Sequence, residues 1–192
     1  MSFELSVNLE YMFHEAGDRL EDRMAAAAAA GRQDPRDRRR IFLIGWFIWL
    51  IDFATKVWAQ NTLSTRESVK LIGSFLQLTY VQNSGAAFSL GTSSTIIFSL
   101  IALATATTIT YYAKRIASKG WMVVMGLVLG GVFGNLTDRI FREPAFLRGG
   151  VIDWIQLPHW PVFNIADSAI VIAAFISVVL SARNITPIAR EI

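Results

Sequence analysis

Four stretches of this chain, at about 41–59, 93–113, 121–137 and 164–183, are apolar over close to the length a helix needs to cross a bilayer. A spanning helix takes about 20 mostly apolar residues, because hydrocarbon offers no partner to backbone N–H and C=O groups and the helix must satisfy them internally. Four such segments in 192 residues leave little chain for anything else. The fold class is therefore an α-helical integral membrane protein with four transmembrane helices. The 53% hydrophobic content, above the range of ordinary soluble domains, agrees.

Charge orients the spans. Arg36, Arg38, Arg39 and Arg40 abut the first, Lys114, Arg115 and Lys119 separate the second from the third, and Arg183 and Arg190 follow the fourth. By the positive-inside rule both termini are cytoplasmic. Residues 60–92 and 138–163 then lie outside, with Asp167 just inside the outer face. Arg66, Lys70, Arg139, Arg142 and Arg148 in those outer segments oppose the bias. Within the first of them, SFLQLTYVQ alternates apolar with polar from Ser74 to Gln82, which predicts an interfacial strand and a small β-rich segment after the first helix. Asn83 and Gly85 then suit a turn. In the second, Trp154 and Trp160 suit the headgroup region as amphipathic anchors. In the third span, Gly126, Gly130 and Gly134 recur every four residues, the small-residue face that lets membrane helices approach closely.

The chain divides into an N-terminal extension and charged linker at 1–40, a membrane domain at 41–183 and a cytoplasmic tail at 184–192. Residues 1–31 read as a short strand and an alanine-rich amphipathic helix, followed by GRQDPRDRRR with Pro35. Acidic residues and the lack of an apolar core argue against a secretory signal. This stretch resembles the opening strand and helix of hydroxypyruvate isomerase-type barrels, one unit of the eight such a barrel needs, so no isomerase activity follows.

Composition narrows the chemistry. The absence of cysteine excludes a disulfide framework, a thiolate zinc site and a cysteine nucleophile. A net charge of +3, with basic residues gathered beside apolar spans, gives nucleic-acid binding no support. His159 is a single histidine in a Pro-flanked loop, short of the three protein ligands usual for catalytic zinc, so neither metal nor other cofactor is expected. Ser84, Ser89 and Ser168 lack a base in motif context.

The polar residues at membrane depth or its edge are Asp52 and Lys56 in the first span, Asn83 in the first outer loop, Asn135, Asp138 and Arg139 ending the third span, Asp153 in the second loop, and Asn164 and Asp167 opening the fourth. Ionisable groups at such depth are costly and face a bundle interior or a wet cavity, which makes them functional candidates. Asp52 and Lys56 are spaced i,i+4 and can pair. Asp138 and Arg139 are adjacent and must bind other partners. Asp153 and Asp167 have no basic residue at helical pairing distance and sit in apolar sequence, VIDWI and FNIADSAI, where desolvation raises a carboxyl pKa. Brought together, they would share a proton as an acid and base pair able to activate water. The residues alone leave open a proton-coupled transporter using Asp52 and Asp167, or a bundle stabilised by its own polar groups.

Four motifs narrow the choice: VQNSGAAFS at 81–89, GNLTDRI at 134–140, VIDWI at 151–155 and FNIADSAI at 163–170. In this order around four spans they resemble the lipoprotein signal peptidases, or signal peptidase II, over residues 41 to 183. The resemblance implies an aspartic endopeptidase of the bacterial cytoplasmic membrane that removes the signal peptide from diacylglyceryl-modified prolipoproteins, cleaving before the lipidated cysteine. Its substrate and the membrane lipids would be its partners. It further implies Asp153 and Asp167 as the catalytic pair. Asn135, Arg139 and Asn164 match the polar residues around that pair, Asn83 matches a substrate-holding loop position, and Asp138, Asp52 and Lys56 belong to the supporting set. Asp138 is the rival for a catalytic role. The chain departs from the family pattern in a short interval between Asp153 and Asp167, in a longer one between Asp138 and Asp153, and in Ile152 and Trp154 where Val and Phe are common. The departures in length fall in loop, so the two carboxyls can still meet.

Overall fold

The computed structural model describes residues 35–84 and 93–188. The extension at 1–34 lies outside the described residues. Helix α1, Pro35–Leu63, is followed by strands β1, Val69–Ile72, and β2, Leu76–Asn83. Then come helix α2, Ser93–Tyr112, a 3₁₀ turn at Ala113–Arg115, helix α3, Lys119–Phe141, strand β3, Val151–Gln156, and helix α4, Ile165–Ala182. All four helices are long and apolar enough to cross a membrane. Pro35 opens α1, a position that suits a residue without an N–H. The helix therefore starts inside the stretch that reads as charged linker.

Helix α3 is the hub. It packs against α1, α2 and α4, and half of its membrane window is buried, against about a fifth in each of the others. Its glycines explain the close approach. A Cβ on Gly130 would lie 2.6 Å from Ile48 Cβ and 2.7 Å from the Gly45 carbonyl of α1, and one on Gly131 would lie 2.6 Å from the Ala166 carbonyl of α4. The two helices flanking α3 are thus fitted to bare backbone. Gly130→Leu would force α1 away and cost on the order of 1–3 kcal/mol, the usual scale for overpacking. We expect a thermal-unfolding midpoint in detergent several degrees below wild type, where each kcal/mol moves a chain of this size by about 2–4 °C.

The three strands form one antiparallel sheet in the order β1–β2–β3. Alternation predicts only one strand there, and β2 matches it and runs on to Asn83, while Gly85 of the expected turn lies outside the described residues. The other two carry no period-two signal. β1, with sequence VKLI, is exposed along its whole length, whereas β3 starts with three buried residues, Val151, Ile152 and Asp153. A strand covered on both faces has no polar side to alternate with. Gly73, with φ +51°, makes the β1–β2 turn in a region few side chains tolerate.

Sequence order puts the polar residues at one end. Helices α1 and α3 run toward the sheet and α4 starts from it, so the C-terminal turns of the first two meet the N-terminus of the last. At the far end Trp121 Nε1 donates to the Ile185 carbonyl at 2.7 Å, and Ile116 bridges to Ile188.

Candidate active site

The fourth helix begins where FNIADSAI places an Asn and an Asp three residues apart. Asn164 is the N-cap: its Oδ1 accepts from the Asp167 backbone N–H at 2.9 Å, while Asp167 Oδ2 accepts from the Asn164 N–H at 3.2 Å. This reciprocal box satisfies two donors that a helix start leaves orphaned. It also sets a carboxylate at the positive end of the helix dipole. An acidic residue at the mouth of an apolar span is thereby accounted for locally, and its other oxygen, Oδ1, faces the neighbouring helix.

Asp153 reaches the same place from the sheet. β3 pairs with β2 in the register Val81↔Asp153 and Asn83↔Val151. Asn83 Nδ2 donates to Asp153 Oδ2 at 3.1 Å, and Asn164 Nδ2 donates to Asp153 Oδ1 at 2.6 Å. Asn164 therefore grips both carboxyls, Asp153 with its side-chain amide and Asp167 with its backbone N–H. The short interval between the two aspartates leaves them joined through one residue. Asp153 is 3% exposed. Burial pushes its carboxyl up to about 6, and the neighbouring Asp167 adds to the rise against the two asparagine donors.

Beneath the pair lies a lattice of buried charge. Lys56, 1% exposed, places its ammonium 2.7 Å from Asp52 Oδ2, 2.9 Å from Asp138 Oδ2 and 2.9 Å from Asn135 Oδ1. Asn135 Nδ2 in turn donates to Asp167 Oδ1 at 2.8 Å. Asp52 Oδ1 accepts from the Ala166 N–H at 2.9 Å and so fixes α1 to the first turn of α4. Asp138 also accepts from the Ile152 N–H at 3.2 Å and pairs with Arg142 one turn on. With Lys56, Arg142 and the β3 backbone around it, Asp138 is engaged as a tie between α1, α3 and the sheet. Arg139 Nη1 donates to the Gly149 carbonyl at 3.1 Å and to the Asn83 carbonyl at 3.5 Å, holding the end of β2 beside Asp153.

All nine residues singled out from sequence thus converge, in two tiers. Asn83, Asn135 and Asn164 touch the carboxyl pair; Asp52, Lys56 and Asp138 form the lattice below, and Arg139 braces the strand. The i,i+4 pairing of Asp52 with Lys56 is present. Sequence reading missed Arg142 as a member, although its i,i+4 spacing from Asp138 was the available signal. Trp154 and Trp160 differ in their surroundings. Trp154 packs edge-on against Trp58 with ring centroids 5.6 Å apart and its indole N–H buried, while Trp160 is exposed.

Both carboxyls open on a cavity of about 260 Å³ between α2, α3 and α4, walled by Phe98, Ile101, Val132 and Ile170 with Asn83 and Arg139 at its polar end. A second hollow of about 290 Å³ lies against Asp153 and the end of β2, under Pro161 and Val162. Asp153 stands between the two.

Fold and site together define a polytopic membrane protein whose chemistry is gathered in carboxylates and amides at one end of a helix bundle. The family model described as signal peptidase (SPase) II matches residues 44–183. The chain belongs to that family. It is similar to the lipoprotein signal peptidase of Streptomyces coelicolor, 41% identical over 155 residues that make up 79% of this chain and 76% of that protein. It is also similar to the lipoprotein signal peptidase of Mycobacterium leprae, 43% identical over 147 residues, 77% of this chain and 73% of that one. A solved bacterial membrane enzyme structure superposes with a TM-score of 0.65 at 27% identity, covering 73% of this chain and 91% of that chain.

Proposed function

We propose that this chain acts as an aspartic endopeptidase on diacylglyceryl-modified prolipoproteins, cutting the amide before the lipidated cysteine, with Asp153 and Asp167 as the catalytic pair. The observation that carries the reading is the joining of two carboxyls through Asn164 at the polar end of an apolar cavity. Two carboxyls so placed cannot both ionise cheaply and retain one proton between them. The ionised member takes a proton from water, and the water oxygen attacks the scissile carbonyl. The protonated member donates to the developing oxyanion, then a proton passes to the leaving amine as the carbon–nitrogen bond breaks. The products are a signal peptide ending in a carboxylate and a lipoprotein beginning at its cysteine.

Depth supports the substrate. Each buried methylene contributes roughly 0.8 kcal/mol, so two acyl chains hold the cysteine near the bilayer surface. Asp167, in the first turn of a helix long enough to span, suits that level. The apolar wall of Ile101, Val132 and Ile170 suits the hydrophobic signal segment or acyl chains. The basic residues flanking the helices support an orientation in a bacterial inner membrane with both termini cytoplasmic and the sheet and the carboxyl pair toward the extracytoplasmic face. The peptidase domain then takes in helix α1 from Pro35 and runs to residue 183, with 1–34 an appendage and 184–192 a tail.

Catalysis needs one proton on the pair. Burial and the neighbouring Asp167 raise the Asp153 carboxyl to about 6, so the rate falls as pH rises through that region and Asp153 loses its proton. A pH–rate profile of kcat/KM checks this, and a rate still climbing above about pH 8 would contradict it. The function itself is tested with the purified chain in lipid, offered a diacylglyceryl-modified prolipoprotein and its unmodified precursor. Release of the signal peptide from the first alone is the expected result. Equal cleavage of both would remove the lipid requirement, and cleavage of neither would remove the activity.

A further inference from the structure

In the lattice under the carboxyl pair, the Lys56 ammonium bonds to neither carboxyl of the pair, yet it stands one residue away from Asp167. We propose that Lys56 is a positioning residue: it fixes the amide orientation of Asn135, and through it the donor that faces Asp167. The proposal rests on reading those two aspartates as the catalytic pair.

Asn135 has an amide whose two ends are nearly equal in shape and opposite in hydrogen-bonding character, so its orientation is set by its neighbours. Three of them agree. Lys56 Nζ donates to Oδ1 at 2.9 Å, Asn164 Nδ2 donates to Oδ1 at 3.2 Å, and Asp167 Oδ1 accepts from Nδ2 at 2.8 Å. A flipped amide would set Nδ2 against an ammonium and another NH₂, and Oδ1 against a carboxylate oxygen. Every contact would become one between like groups. An ammonium has three donors and no acceptor, so Lys56 tolerates only the observed orientation.

The second carboxyl is served from the helix start. Asn164 Oδ1 is occupied by the Asp167 backbone N–H, which leaves its Nδ2 to serve Asp153 Oδ1 at 2.6 Å and Asn135 Oδ1. Each asparagine therefore has its oxygen held by a fixed donor and its NH₂ turned toward an aspartate. For Asn164 the fixed donor is the helix start, and for Asn135 it is Lys56. The lysine in turn has no freedom, being 1% exposed and clasped by Asp52 and Asp138.

The test must separate donor from charge, since removing Lys56 alone strands two buried carboxylates. K56M/D52N and K56Q/D52N both delete one positive and one negative charge, leave Asp138 paired with Arg142, and keep at position 52 an oxygen that can accept from the Ala166 N–H. They differ in one respect: the glutamine side chain brings N–H donors to Asn135 Oδ1, and the methionine side chain brings none. Both are purified and assayed well below their unfolding midpoints, and kcat and KM are measured on the lipidated prolipoprotein beside wild type and Asp167→Asn. The expected result is a kcat for K56M/D52N roughly 10–100-fold below that of K56Q/D52N, the scale on which losing an outer hydrogen-bond partner weakens a site, with KM unchanged between them. Equal kcat in the two variants overturns the proposal, whether both are active or both are dead, and so does a difference confined to KM. Failure of the underlying reading has a separate signature, namely Asp167→Asn cleaving as fast as wild type.

Discussion

On the proposed mechanism, Asp153→Asn and Asp167→Asn should each lower kcat for cleavage of the lipidated prolipoprotein by roughly 10²–10⁴-fold, the scale of a lost general acid or base, while both proteins stay folded. An amide neither takes a proton from water nor gives one to a leaving amine, so either substitution ends the shared-proton chemistry. The structure explains why folding should survive. Asn at position 167 keeps an oxygen for the Asn164 N–H and remains a good residue for a helix start. At position 153 the effect on stability has the opposite sign from the effect on rate. The folded protein raises the Asp153 carboxyl from 3.8 to about 6, so it binds that proton more tightly than the unfolded chain does. Stability from this site is complete below pH 3.8 and is lost as pH rises through about 6. At about pH 8 the ionisation cost is on the order of 3 kcal/mol. Asp153→Asn removes that cost and surrenders one acceptor for Asn83 or Asn164, worth about 1 kcal/mol. Its unfolding midpoint should exceed that of wild type by a few degrees at about pH 8, with the gap closing toward about pH 4. Thermal scans of both proteins at the two pH values, beside the cleavage assay, measure it. A variant that loses both rate and stability at the higher pH would mark Asp153 as a structural strut instead.

How much of this was readable before the fold depends on which interaction recorded itself in local sequence. The spans were legible because hydrocarbon selects for unbroken apolar length, and the Asp52–Lys56 pair because helical spacing fixes which side chains meet. The grouping of Asn83, Asn135, Asn164, Asp153 and Asp167 was legible from their depth at the ends of the spans, but their separate roles only through motif resemblance. Nothing in the spacing of β3 announces that VIDWI pairs with the strand ending at Asn83, because its first residues are buried on both faces and show no alternation. Likewise the partners of Asp138 come from α1, α3 and the β3 backbone at once. Such a junction is a property of three elements, and one-dimensional pattern holds at most one arm of it. The closeness of Asp153 and Asp167 was similarly hidden, since it depends on Asn164 turning its side chain to one and its backbone to the other.

That junction sets up the second large effect. Lys56→Met should lower the unfolding midpoint by about 10 °C, far more than most single substitutions do. Lys56 lies 2.7 Å from Asp52 and 2.9 Å from Asp138, which are 0% and 3% exposed. Removing one partner from a buried ion pair leaves an uncompensated charge and costs roughly 3–5 kcal/mol. Here two carboxylates lose the same partner. Asp138 retains Arg142 and the Ile152 N–H, but Asp52 is left with only the Ala166 N–H. Replacing Asp52 by Asn at the same time should recover most of the loss, because the cost lies in the stranded charge and not in the missing contacts of the lysine stem. Near-equal midpoints for Lys56→Met and wild type would mean that water or a proton reaches Asp52 readily, and that the lattice is wetter than its burial implies. A large loss that K56M/D52N restores would instead show that the lysine neutralises its neighbours, leaving its aim at Asn135 as the separate, catalytic consequence.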